Sequence, residues 1–167
     1  KNSYRNGDNF IGSDCLPVDC DNDHSENPDD WVTPDDIMQA FPGVSFAIHY
    51  SRYNNREKNG KAARPKFHVL FPIEYVSDAS LYSDMKKLVN SIFPYFDTQA
   101  LDAARFFFGT TTADVALYPG RMNLTEFLDE DLFDEDLPDG QYDGAAIPEG
   151  SRNATMSRFA GRVIKKY

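Results

Sequence analysis

Apolar and polar residues alternate along 44–50, the period of two that a half-buried strand imposes, and 10–18 and 67–73 are further strand candidates. Val18 and Cys20 then face a core, while Asp19 and Asp21 share the other side. A shorter alternation at 114–118, closed by Pro119-Gly120, predicts a further strand, and the run Arg105-Phe106-Phe107-Phe108-Gly109 reads as a buried one. Helical signals fall between these stretches. Thr33-Pro34-Asp35-Asp36 supplies a cap, a first-turn proline and two acids at the positive dipole end, so a helix should run to Ala40 and stop at Pro42-Gly43. Ser77-Asp78 caps a second helix reaching Phe93, with Leu81, Met85, Leu88, Val89 and Ile92 as its apolar stripe. Residues 99–104 and 124–128 predict short helical turns, and 151–165 an amphipathic basic helix whose apolar positions are Met156, Phe159, Ala160, Val163 and Ile164.

Between the strands at 44–50 and 67–73 lies a segment without apolar periodicity, marked by turn signals at Asn54-Asn55 and Asn59-Gly60. The simplest arrangement is a hairpin with a long tip. Its composition makes the tip notable: Arg52, Arg56, Lys58, Lys61, Arg64 and Lys66 stand against Glu57 alone, a local balance of +5. The whole chain carries −10, but residues 129–143 hold eight acids and no Lys or Arg, leaving −2 for the rest. Segregation of this kind lets an acidic protein bind a polyanion. The acidic stretch resists packing and reads as a linker or solvated loop. At 167 residues and 41% hydrophobic composition the chain fits one globular domain plus appendages. It has no apolar run of membrane-spanning length and no signal-peptide pattern, so it reads as soluble and cytoplasmic, with no membrane partner. The polar opening, Lys1 to Gly7, and the unpartnered last helix suggest that neighbouring segments exist on both sides.

Candidate chemistry concentrates at Leu16-Pro17-Val18-Asp19-Cys20-Asp21-Asn22-Asp23-His24, where an apolar approach meets alternating carboxylates. Two acids on one strand face repel unless one is protonated or a cation lies between them, which makes a divalent metal the natural completion. An acidic turn without a ligand is the plain alternative. A calcium loop is a poorer one, because its glycine position holds His24 and its terminal Glu position holds Asp30. Cys15 and Cys20 with His24 make a weak zinc pattern, and buried structural thiols explain the cysteines more simply. Arg64, Lys66 and His68 fall within five residues, with Lys66 and His68 on one strand face, a set suited to an anion such as a triphosphate. His49 has no such company and reads as structural. Asp102 and Arg105 flank the start of the aromatic strand and, taken alone, read as a surface ion pair.

In order, Asp19-x-Asp21 at a strand end, Lys66-x-His68 on a strand and Asp102 before an aromatic strand resemble the three motifs of the archaeo-eukaryotic primase superfamily, the primase-polymerases of plasmids, phages and mobile elements. The tail Glu149-Gly150-Ser151-Arg152-Asn153 resembles the start of the helical domain that often follows such enzymes. The resemblance implies an α+β fold, with an antiparallel sheet similar to an RNA-recognition motif joined to a smaller α/β unit. It divides the chain into a catalytic domain at 1–128, an acidic linker or loop at 129–150 and the first helix of a truncated C-terminal domain at 151–167. By position, Asp19, Asp21 and Asp102 match the catalytic carboxylates that hold two Mg²⁺ or Mn²⁺ ions, and His68 matches the nucleotide-binding histidine. Lys66, Arg64 and Arg105 are expected phosphate contacts, although the position of Lys66 is often a small residue in the family. Arg52, Arg56, Lys58 and Lys61 would track nucleic acid by its phosphates. The implied activity is a DNA primase or polymerase using nucleoside or deoxynucleoside triphosphates on single-stranded or primed DNA, with a replicative helicase as a further partner. A two-metal nuclease or phosphatase, and a non-catalytic nucleic-acid-binding replication module, are the alternatives.

Overall fold

In the computed structural model, Ser13–Cys20 is the first strand, β1, and its inward residues Leu16, Val18 and Cys20 are fully or almost fully buried. The structure describes residues 6–132 apart from 59, 106, 108, 111 and 113; the predicted helix at 151–165 and most of the acidic stretch lie outside the described residues. After β1 come helix α1 (Pro34–Ala40), β2 (Phe46–Tyr50), a ribbon of β3 (Arg56–Lys58) and β4 (Lys61–Arg64), the long β5 (Phe67–Val76), helix α2 (Ala79–Ile92), β6 (Val115–Tyr118) and helix α3 (Leu124–Leu132). Four strands form one antiparallel sheet in the order β1-β5-β2-β6, and β3 pairs only with β4. The fold is therefore α+β with an antiparallel sheet. Its last strand, β6, joins the free edge of β2. Among the described residues the second sheet is the two-stranded ribbon, and a smaller α/β unit is not seen.

The prolines obey the topology. Pro17 is on the edge strand β1, and Pro72 on β5 lies beyond the last residue that pairs with β2, so neither removes a central ladder bond. One face of the sheet, with Leu16, Val18, Phe67, Val69, Phe71, Phe46 and Ile48, packs under α1, α2 and α3 to form the core. Phe41 at the end of α1 reaches Phe71 at 4.9 Å and Phe127 of α3 at 5.7 Å, tying both helices to the sheet. At Gly120 the chain passes directly over the backbone of Gly43 and Val44, and any Cβ there would collide with it. Among the described residues no helix is long and apolar enough to cross a membrane.

Three local expectations are corrected. Arg105, Phe107 and Gly109 form no strand and line a cavity instead. Helix α2 turns its predicted stripe inward except at one end: Val89 is buried and Met85, Leu88 and Ile92 pack against the core, whereas Leu81 is 54% exposed and Tyr82 and Lys86 take inward positions that the stripe did not include. The boundary expected at residue 128 falls inside α3, so the first four residues of the acidic stretch are helical.

Candidate active site

The uncovered face of the sheet builds the site by register. Asp19 of β1 lies opposite His68 of β5, and His68 lies opposite His49 of β2, so three polar side chains form one row across three strands. His68 Nε2 is 3.7 Å from Asp19 Oδ1, and the His49 and His68 rings stack with centroids 5.4 Å apart. Phe107 meets His68 edge-on at 4.8 Å. His49, read from sequence as structural, thus joins the row.

Burial sets the protonation states. Asp19 is pushed up to about 7, first by burial and then by the carboxylates of Asp21 and Asp97, against the pull of Arg105 and Lys66. His68 is held down to about 4 by burial, then by His49, with Asp21 opposing. At pH 7 the imidazole is neutral, so its contact with Asp19 is no salt bridge.

Past the end of β1, a buried polar hub fixes the acidic loop. Asn22, at φ 53° and almost fully buried, donates to the carbonyls of Val32 and Pro65 and accepts from Val32 N–H. Arg64 is fully buried beneath Trp31, donates to the carbonyls of Asn22 and Ser25, and pairs with Glu26 at 2.6 Å. It anchors the loop and is not among the residues lining the cavity described below. Lys66, also buried, lies 3.2 Å from Asp21 and 3.1 Å from Asp23, and Lys61 lies 2.9 Å from Asp23. Asp23 is held below the usual carboxylate range by these lysines, which prevail over its desolvation. Its carboxylate is thereby engaged by two lysines. The zinc pattern fails: Cys20 is a core thiol pushed up to about 12 by burial, Cys15 lies on the opposite strand face, and His24 stacks on Tyr95.

The expected site residues divide. Asp19, Asp21, His68, Arg105, Arg52 and Lys58 line one cavity of about 300 Å³ together with Ser51, Tyr53, Phe107, Gly109 and Thr110. Comparison of the chain with protein-family models, with curated proteins and with solved structures found no match. The geometry therefore carries the functional argument alone. Asp102 is exposed and is not among the residues lining the cavity; it is linked to Lys86, whose amine reaches the Asp102 carbonyl at 3.5 Å. Asp97 contacts Asp19 directly: its N–H donates to the Asp19 carbonyl at 2.8 Å and its carboxylate raises Asp19. Sequence reasoning missed Asp97 because the contact joins the loop after α2 to the end of β1, far apart in the chain, and the local signal is only that of a turn cap, its carboxylate accepting from Gln99 N–H.

Among the described residues, no three His, Cys, Asp or Glu side chains are already arranged to hold a metal ion. The donor chemistry nonetheless fits one. Asp19 is mostly buried, and its desolvation together with Asp21 and Asp97 outweighs the pull of Arg105 and Lys66, so that it protonates near neutrality; a divalent cation would relieve that crowding. Asp21 shares the cavity wall with Asp19, and Asp97 is a further carboxylate that acts on it.

Proposed function

We propose that the chain is a template-directed nucleotidyltransferase, a DNA primase or polymerase of the archaeo-eukaryotic primase type. One observation carries the reading: two carboxylates, a neutral histidine and three cations line a single cavity, at the small end of ligand-pocket sizes. That combination suits a substrate with a polyphosphate tail and a metal-assisted reacting centre. In the reaction the primer 3′-oxygen bonds to the α-phosphorus while the bond to the β-phosphate oxygen breaks and pyrophosphate leaves. Mg²⁺ or Mn²⁺ held by Asp19 and Asp21 would supply charge neutralisation at the phosphate and a more acidic 3′-hydroxyl. His68, neutral at pH 7, can donate one ring N–H to a phosphate oxygen without adding a charge that competes for the site. Phe107 braces that ring from the side. Arg105, Arg52 and Lys58 offset the remaining phosphate charge. Asp97 holds Asp19 from behind through its backbone N–H.

The test is incubation of a labelled primer–template with each nucleotide set and each metal. Elongation that requires both triphosphate and metal supports the reading. Loss of label from the primer would assign the same carboxylates to a nuclease, and DNA binding without either reaction would assign a non-catalytic module.

A further inference from the structure

The basic segment 52–66 does not present its charge uniformly. Lys61, Arg64 and Lys66 are paired with Asp21, Asp23 or Glu26 within 3.7 Å. Among the described residues Arg52 and Lys58 have no carboxylate partner; both line the cavity, and both lie over the ring of one residue, Tyr53. The guanidinium carbon of Arg52 is 5.6 Å from that ring's centroid and Lys58 Nζ is 4.8 Å from it. A π face attracts a cation without neutralising it, so the ring holds two long side chains in place while leaving their charge available. The ribbon is laid out to the same end. Asn55, at φ 52°, turns the chain into β3, and Lys58 pairs across to Lys61, whose own charge is spent on Asp23.

We propose that Arg52, Tyr53 and Lys58 form a polyphosphate-binding subsite in the cavity wall, with Tyr53 as the positioning residue that holds the two cations. The ligand class is a chain of linked phosphates. Two sources share that chemistry, a nucleoside triphosphate tail and a nucleic-acid backbone, and the cavity setting beside Asp19, Asp21 and His68 favours the first. The identity of the natural ligand rests on the function proposed above; the subsite itself does not. Arg56 of the same ribbon lies outside the cavity lining and serves as an internal comparison.

Calorimetric titration with inorganic tripolyphosphate in EDTA, and in parallel with a single-stranded oligothymidylate, tests this without metal or turnover. All substituted residues are exposed, so folding is checked simply by an unchanged melting temperature. Arg52→Gln/Lys58→Gln should weaken tripolyphosphate binding about tenfold or more, from the loss of two charge-assisted contacts. Tyr53→Leu should weaken it about two- to fivefold while Tyr53→Phe, which keeps the π face, stays near wild type. Arg56→Gln should leave it unchanged. Tripolyphosphate binding indifferent to Arg52→Gln/Lys58→Gln overturns the subsite, equal behaviour of Tyr53→Leu and wild type overturns the role of Tyr53, and a loss confined to the oligothymidylate reassigns the cations to the backbone and overturns the triphosphate assignment. Primer extension by a protein whose tripolyphosphate binding ignores these residues would sink the subsite and spare the proposed function. The expected titrations without any extension would do the reverse.

Discussion

Asp19 and His68 face each other with protonation states shifted in opposite directions, and stability should record both. Folded Asp19 in the metal-free protein titrates at about 7 against an ordinary 3.8. The folded state therefore binds the extra proton between those values, and stability falls as pH rises through that window. Three units at about 1.4 kcal/mol each give an upper bound of about 4 kcal/mol. Folded His68 titrates at about 4 against 6.5, so it binds fewer protons than the unfolded chain there, and stability rises with pH over that range. The two slopes oppose each other below pH 6.5. Asp19→Asn removes the falling limb; in urea melts it should match wild type at pH 4 and exceed it by about 2–4 kcal/mol at pH 8. Parallel pH curves for the two proteins would show that Asp19 is not the strained carboxyl. Mn²⁺ should raise the wild-type melting temperature more at pH 8 than at pH 5, since the ion must displace that proton. His68→Ala tests a separate role: nucleotide affinity should fall about tenfold while Mn²⁺ affinity stays within about twofold, because the histidine is assigned to phosphate. Collapse of Mn²⁺ binding would make His68 a ligand.

Among elements, helix α2 connects core to site through one buried amine. Lys86 is fully buried, donates to the Ala100 carbonyl at 3.2 Å and reaches that of Asp102, and lies over the rings of Tyr82 and Phe107. It thereby braces the segment carrying Asp97, Arg105 and Phe107. Burial lowers it to about 8 from 10.5, so stability should rise as pH climbs from about 8 to 10.5 and the folded amine sheds its proton first. Lys86→Met, which keeps the stem and removes the donor, should cost about 1–3 kcal/mol and speed amide exchange at 100–105, because carbonyls facing the amine lose their partner. Unchanged exchange there would leave Lys86 with no bracing role. Periodicity predicted α2 itself and its cap, with Asp78 accepting from Leu81 N–H at 2.8 Å. It also placed Met85, Leu88, Val89 and Ile92 on the inward face, but it could not predict that Lys86 is buried beside them, since a lysine counts as polar in any pattern and only the distant carbonyls explain its burial. The aromatic run at 105–109 misled for a related reason: apolar residues lining a cavity carry the same local signature as a buried strand.

For the molecule as a whole, the four strands of the main sheet, the helices α1 and α2 and the approach to Asp19 were legible because each depends on local signals, whereas the ribbon of β3 and β4 was not. Asp21, His68, Arg105, Arg52 and Lys58 were singled out from sequence and now line one cavity. The rest depended on tertiary contacts: Asp97 against Asp19, His49 in the row with His68, and Arg64 withdrawn into a hub. No local pattern encodes such contacts, because they join residues up to 78 positions apart in the chain. The central claim is that this cavity joins nucleotides on a template. It is tested most directly by primer extension in Mn²⁺, comparing wild type with Asp21→Asn, which lines the cavity and whose neutral amide is a poor ligand for a hard cation. The account predicts triphosphate-dependent elongation by wild type and a rate at least about 100-fold lower for the variant, from loss of charge stabilisation at the reacting phosphate; equal elongation by both proteins, or none by wild type, would contradict it.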